Sequence, residues 1–361
     1  EEDFDTIAEI QVFGIEMVEI PTASFYLGDS QSINTFRSSA QNHPFQILSE
    51  SAIPVGKNNG ELSAHFDSTI EHTYNTAPLQ NIPASYPKGY AGFYCMKYEI
   101  SQEQYIAFLN TLSYSQQFNR MGFPKVYSTH YQCYPIQHQN GICADLTTKP
   151  NVTFFSDLNG DGKVNQANDG QNKACNFLSW TDLSAYLDWS GLRPMTEFEF
   201  EKICRGPLAT FPRAYAWGNS WMKDANQNKY NGEANEIVAD TIPMNYGIAN
   251  HGTYNPATDN GVLRCGYAAS NSTDRKTSGS AYYGVMEMSG NAWEQCINTS
   301  NDGLQFIGSH GDGTLSAEGN ATNSDWQPIT GTGSGVKGGG WNSGVQYPYN
   351  DCAVSDRAYI F

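Results

Sequence analysis

Tyr283-Gly284-Val285-Met286-Glu287-Met288-Ser289-Gly290-Asn291-Ala292-Trp293-Glu294 is the stretch on which the reading of the whole chain turns. Glu287 and Glu294 stand seven residues apart, with Gly290 and Ala292 between them. The glycines and Asn291 break both the helical and the strand period, so the second half is expected as a tight loop. A loop that gathers carboxylates and backbone carbonyls suits a hard cation such as Ca²⁺, which takes about six to eight oxygens. The competing reading is a pair of solvated loop charges.

Composition narrows the setting. The chain has 361 residues, enough to bury a core in one large or two medium domains. Charged residues make up only 16%, while Gly (34) and Tyr (22) are abundant, a profile expected of a loop-rich extracellular protein. Twenty Lys and Arg against 37 Asp and Glu leave a net charge of −17. Such a surface disfavours nucleic acid and anionic lipid as partners and favours cations. No apolar run approaches the roughly 18 residues of a membrane-spanning helix. Glu1 is expected to follow a removed signal peptide, and the chain is expected to continue past Phe361. The eight cysteines show no metal-site spacing; Cys133 and Cys143 flank a short loop that a disulfide would close. Cys95, Cys175 and Cys204 sit in apolar blocks and read as buried free thiols.

Upstream, the alternation of Met17/Glu19 and Val18/Ile20, followed by a second short aromatic run in 24–28, reads as a β-hairpin. Residues 29–88 show no period and read as a surface insertion. Gly92–Ile100 reads as a strand feeding a helix: Ser101 and Gln104 form a capping box, and Tyr105, Phe108, Leu109 and Leu112 share one face. A second insertion, 113–174, holds Asp157-Leu158-Asn159-Gly160-Asp161-Gly162-Lys163. This run matches the first, third and fifth ligand positions and the sixth-position glycine of an EF-hand-type calcium loop. Asp157, Asn159 and Asp161 would offer side-chain oxygens and Lys163 its carbonyl. Asn168 stands where the closing acid belongs, with Asp169 one residue later as its substitute; the alternative is a plain Asn/Gly turn. A helix over 181–190 follows, then a capping box of Thr196 and Glu199 opening a helix that Gly206 ends. The glutamates of that helix are read as structural.

These blocks resemble, in order, the formylglycine-generating enzyme (sulfatase-modifying factor) family. Residues 283–294 are similar to its G-L/V-x-D/N/E-M-x-G-N-x-W-E signature, 13–28 to its M-V-x-I-P-x-G-x-F-x-M-G opening, and 178–206 to its S-W-x-D-A…R-L-P-T-E-A-E-W-E run. Tyr215–Asn219, Val336–Trp341 and Cys352–Arg357 match later blocks. The resemblance implies an α+β, C-type-lectin-like fold, loop-rich with short strands and few helices. One domain would span 1–361, with core blocks 12–28, 92–112, 175–219, 281–296 and 336–361 around the insertions 29–88 and 113–174. It also implies calcium held by the side chains of Glu287 and Glu294 and the carbonyls of Gly290 and Ala292, with Trp293 packed beneath. A further calcium site would draw on Asn245 and Asn260.

The family's chemistry is a copper-dependent oxidation at two cysteines. Here the matching positions carry Ser343 and Pro348, Gly340 replaces the family's serine, and Cys352 lies too far along. Thiolates are the soft ligands that select Cu(I), so the expected catalytic set is empty. The seven histidines form no HxxxH or HxH pattern that would hold the iron of a related branch. Three functions stay open. The first is a calcium-stabilised, non-catalytic secreted or cell-surface protein that binds a protein or glycan. Its binding face would be the strip Trp341, Asn342, Tyr347, Tyr349 and Asn350, whose aromatics suit stacking. The others are a self-assembling structural subunit of a surface filament or motility or secretion apparatus, and an enzyme with a repurposed oxidase-type site.

Overall fold

A computed structural model of the chain describes residues 12–360 except 30, 33, 40–42, 65–79, 121–130, 134–137, 149, 226–231, 238–241, 253–260, 327–330 and 344–349. Short extended runs dominate, as the frequent Gly, Pro and Asn punctuation requires. The first are β1 (Met17–Ile20), β2 (Phe25–Leu27), β3 (Phe36–Ser38), β4 (Phe45–Ile47), β5 (Leu62–Ala64) and β6 (Phe93–Met96). β1 and β2 do not form the expected hairpin. β1 pairs antiparallel with β6, Met17 opposite Met96, while β2 pairs with β4, Phe25 opposite Ile47. The link between them is held by the 90–92 segment: Ala23 donates to the Tyr90 carbonyl and the Thr22 hydroxyl accepts from the Gly92 amide. With Pro21 in the same link, the chain is carried sideways and does not turn back.

Residues 29–88 are likewise more than a surface insertion. Phe36, Ile47, Ile53, Leu62, Ile82 and Tyr86 are all buried in the main core, beside Phe108, Tyr186 and Phe198. Phe36, Ile47 and Leu62 come from three different short strands, Ile53 and Ile82 from a single bridge and Tyr86 from a bend, so no window of sequence shows a period. After β6 come α1 (Gln102–Thr111), with the Ser101/Gln104 capping box complete, and α2 (Tyr114–Arg120). α1 buries Tyr105, Phe108 and Leu109, as read from their spacing. The antiparallel meander β7 (Tyr131–Cys133), β8 (Ile142–Asp145) and β9 (Thr153–Ser156) then packs on α1, where the Asn110 amide bonds the Phe154 backbone in both directions. Cys143 is disulfide-bonded, and its register partner on β7 is Cys133. Cys95, Cys175 and Cys204 are free thiols.

α3 (Trp180–Trp189) starts one residue before the expected helix because Ser179 caps it, in a box with Asp182. β10 (Met195–Thr196) runs into α4 (Glu197–Arg205); later come β11 (Met222–Asp224), β12 (Gly247–Ala249), β13 (Glu294–Ile297) and β14 (Ser334–Lys337). β13 lies between β10, parallel to it, and β14, antiparallel to it. Every residue of α4 is buried, five of them charged, so each charge needs a partner. Arg193 grips Glu199 through both nitrogens at 2.6 and 2.9 Å. Arg205 and the Gly28 amide meet Glu201. Lys202 sits over the Phe93 ring and donates to the Tyr90 carbonyl. The acid-rich helix start is therefore an anchoring device. The architecture is a loop-rich α+β fold, and among the described residues no helix is long and apolar enough to cross a membrane.

The C-terminal segment closes against β14, the Lys337 ammonium donating to the Asp356 carbonyl at 2.7 Å. Burial pushes the Asp356 carboxyl up to about 7 and that of Asp351 up to about 6. Both lie above a free aspartate, so between about pH 4 and 7 the folded chain binds more protons than the unfolded one. The stability they supply is full below about pH 4 and is lost as pH rises through 7. The melting temperature is expected to fall between about pH 4 and 7 by an amount worth a few kcal/mol, with the share of the partly exposed Asp351 discounted for screening. Asp356→Asn, whose amide oxygen still accepts from the Ala358 amide, should shallow that fall; parallel melting curves against pH would refute the assignment.

Candidate functional site

The 283–294 stretch is a tight loop, as its composition requires. Glu287 (φ 57°) and Asn291 (φ 67°) are left-handed although neither is glycine, and Gly290 (φ 91°) lies between them. Such conformations persist only where the surroundings fix them. Here Gly290 donates to the Gly338 carbonyl, Asn291 to the Asn250 carbonyl, and Trp341 back to the Asn291 carbonyl. The Ser289 hydroxyl bridges the Ala216 amide and the Cys352 carbonyl. A residue the sequence reading passed over, Glu99, clamps the loop from the strand–helix link: one oxygen accepts from the Ala292 amide at 2.7 Å, the other from the Asn291 side chain at 2.5 Å.

Glu287 is 5% exposed and takes one hydrogen bond, from the Gly266 amide at 3.1 Å. Its other oxygen and both oxygens of Glu294 are buried without a partner. Burial first, then the Glu287 charge, lifts the Glu99 carboxyl well above the carboxylate range. Burial first, then the Glu99 charge, does the same to Glu294, and burial pushes Glu287 up to about 8. Carboxylate oxygens kept from water with no donor are costly, by several kcal/mol each when ionised. Such donors, all oxygen, fit a hard cation of the calcium type better than a soft one. Among the described residues no three His, Cys, Asp or Glu side chains close on one point, so a cation here would rest on two glutamates and backbone carbonyls. Gly338 belongs to the same unit: at φ +81° a methyl group there would meet a Glu294 oxygen at 2.0 Å.

The loop forms one wall of a groove of about 740 Å³. Tyr94, Phe177, Leu178, Arg193, Trp341 and Asn342 line it, with Glu99 and Glu294 among its walls. Tyr94 is 67% exposed and Phe177 62%. Phe177 is left-handed (φ 65°), an outlier for a bulky residue. Asn176 before it binds the His138 carbonyl, and the Leu178 carbonyl after it accepts from Gln295. The fold thus holds an aromatic ring out at the rim at a local conformational cost, the kind of strain that marks binding sites. Period and motif gave no sign of Phe177 or Tyr94, because each lies in a block that reads as core.

The other expected residues are dispersed. Trp341 is only 9% exposed and stacks on His138 with centroids 4.5 Å apart, so it supports the wall. Asn342 is exposed at the groove, Asn350 is half-buried with an unpartnered Oδ1, and Tyr347 and Tyr349 lie outside the described residues. Asn245 is exposed in a turn, its carbonyl held by Asn219 at 3.0 Å, and Asn260 lies outside the described residues. Ser343 is buried; its hydroxyl accepts from the Gly340 amide at 2.8 Å, closing a turn, while Pro348 lies outside the described residues. The loop of Asp157, Asn159, Asp161, Lys163 and Asp169 forms a separate unit after β9.

Residues 16–358 match the model of the "Sulfatase-modifying factor enzyme 1-like domain". The chain is similar to the formylglycine-generating enzyme of Mus musculus, 28% identical over 128 residues, covering 36% of this chain and 34% of that protein. It is also similar to the formylglycine-generating enzyme of Thermomonospora curvata, 24% identical over 208 residues, covering 56% and 58%. The matches therefore span about a third and somewhat over half of those relatives' lengths.

Proposed function

We propose that this chain, which belongs to the sulfatase-modifying factor enzyme 1-like family, is a non-catalytic, calcium-stabilised binding protein of the cell surface or extracellular space. The observation that carries the reading is the aromatic groove standing beside a Ser343 hydroxyl committed to a turn. A neutral hydroxyl holding the Gly340 amide offers no soft ligand for Cu(I). A groove of about 740 Å³ with two exposed rings suits an apolar or aromatic stretch of a protein partner. Calcium on Glu287, Glu294 and the Gly290 and Ala292 carbonyls would neutralise the buried acids and fix the wall. A disulfide at Cys143 is of the kind that persists in oxidising compartments, which supports the location.

The test has two arms. Copper-loaded protein incubated with a Cys-x-Pro-x-Arg peptide is expected to yield no aldehyde above the no-protein control by mass spectrometry; turnover would overturn the non-catalytic reading. Screening of peptide and glycan libraries should return binders that weaken about ten-fold or more in Phe177→Ala and Tyr94→Ala, since burying one aromatic ring contributes roughly 1.5–3 kcal/mol. Binders indifferent to both variants would move the site elsewhere.

A further inference from the structure

We propose that the Asp157–Asp169 loop is a second calcium site, independent of the Glu287–Glu294 loop, that fastens the 113–174 segment to the body of the protein. β9 delivers the chain to Asp157, which is fully buried. Its two oxygens accept from the amides of Asp161 at 3.2 Å and Gly162 at 3.1 Å. The Asn159 side-chain Oδ1 accepts from the Asp161 amide at 2.8 Å, and Asp161 Oδ1 accepts from the Lys163 amide at 2.8 Å. Those bonds by themselves describe a turn.

What makes the turn a site is Asp169. It is fully buried; one oxygen accepts from the Gln166 amide, and the other meets no donor. The unpartnered oxygen belongs to the same loop as the acids Asp157 and Asp161, whose charges, after burial, raise the Asp169 carboxyl. A divalent cation joins such groups, and a set made only of oxygens selects calcium over softer metals. The three aspartates do not yet close on one point. Of the three, Asp161 is the exposed one, whereas Asp157 and Asp169 are fully buried.

The location supplies the consequence. Gly170 donates to the Gly232 carbonyl at 3.0 Å, and a methyl group on Gly232 would meet the Asn168 carbonyl at 2.5 Å. Gly232 donates to Glu236, which forms a buried ion pair with Lys173 at 2.7 Å. The loop is therefore the point at which the 113–174 segment docks on 232–236, and a cation drawing Asp169 toward Asp157 tightens that dock.

Titrating the full chain with CaCl₂ by calorimetry tests this. In Glu294→Gln, one calcium should still bind, and adding Asp161→Ala should weaken or remove it by at least about ten-fold, since ligand charge count tunes such loops over decades. Asp169→Asn should do the same, and calcium should cease to protect 113–174 from limited proteolysis. Near-UV circular dichroism checks each fold; should Glu294→Gln fail to fold, the wild type and Asp161→Ala are compared directly, the latter expected to lose one site. No calcium uptake at millimolar CaCl₂, or an isotherm unchanged by Asp161→Ala, overturns the proposal.

Discussion

Chelating calcium should lower the melting temperature of the wild-type protein by about 4 °C through the Glu287–Glu294 loop alone, and Glu294→Gln should remove that share of the response. A ligand that binds only the folded state contributes roughly 2.7 kcal/mol at a hundred times its dissociation constant. For a chain of this length about 0.7 kcal/mol moves the midpoint by one degree. Glu294 dominates because both of its oxygens are buried without a donor, whereas one oxygen of Glu287 keeps the Gly266 amide. An amide at position 294 keeps the shape and removes the charge that the cation must meet. The metal-free variant should then be at least as stable as the metal-free wild type, reversing the order seen with calcium. Wild-type melting that ignores chelator, or a Glu294→Gln protein that still responds as the wild type does, would remove calcium from this loop.

The parts of this fold legible in the sequence are those whose causes are local. Ser101 with Gln104 and Thr196 with Glu199 satisfy amides within one turn, and both boxes form. Gly206 ends α4 at φ 59°, where the Tyr282 ring leaves no room for a side chain. Gly290 and Asn291 announce a tight loop at 287–291, although bonds to Gly338, Asn250 and Glu99 fix its left-handed backbone. What was not legible is set by distant partners. β1 and β2 look like a hairpin until the 90–92 segment competes for the link between them. Phe36 and Leu62 join the core from strands of three residues, too short to show alternation.

The same holds at the site. Glu99 precedes the Ser101 capping box and reads as the end of a strand, yet its carboxylate binds a loop about 190 residues away. Only the closed fold reveals that role. Trp341, chosen from sequence for its ring, is taken up by His138, while Phe177, with no motif to mark it, is held at the rim. Ring chemistry is visible in sequence; the choice of which ring faces outward belongs to packing across segments.

Arg357→Ala should be the most damaging single substitution considered, costing about 3–5 kcal/mol in urea unfolding. The guanidinium is fully buried, and bonds both oxygens of Glu197 at 2.5 and 2.9 Å, with the Thr299 hydroxyl at 3.2 Å. Its carbon sits 3.7 Å from the centre of the Phe36 ring, which packs edge-on against Phe198 of α4. One side chain thus ties the C-terminal segment, the 29–88 segment and α4 into a single cluster. Truncation leaves the Glu197 carboxylate buried with only the Thr299 amide and hydroxyl as donors. Arg357→Lys should fall between, because an ammonium keeps the charge and gives up the two-pronged grip and the flat face against Phe36. Buried ion pairs are expensive to break and often nearly neutral to replace as a whole. Glu197→Gln combined with Arg357→Met should therefore recover most of the loss, the new amide oxygen still accepting from Thr299. A truncation costing under about 1 kcal/mol, or a double variant no better than Arg357→Ala, would mean that the pair does not hold these segments together.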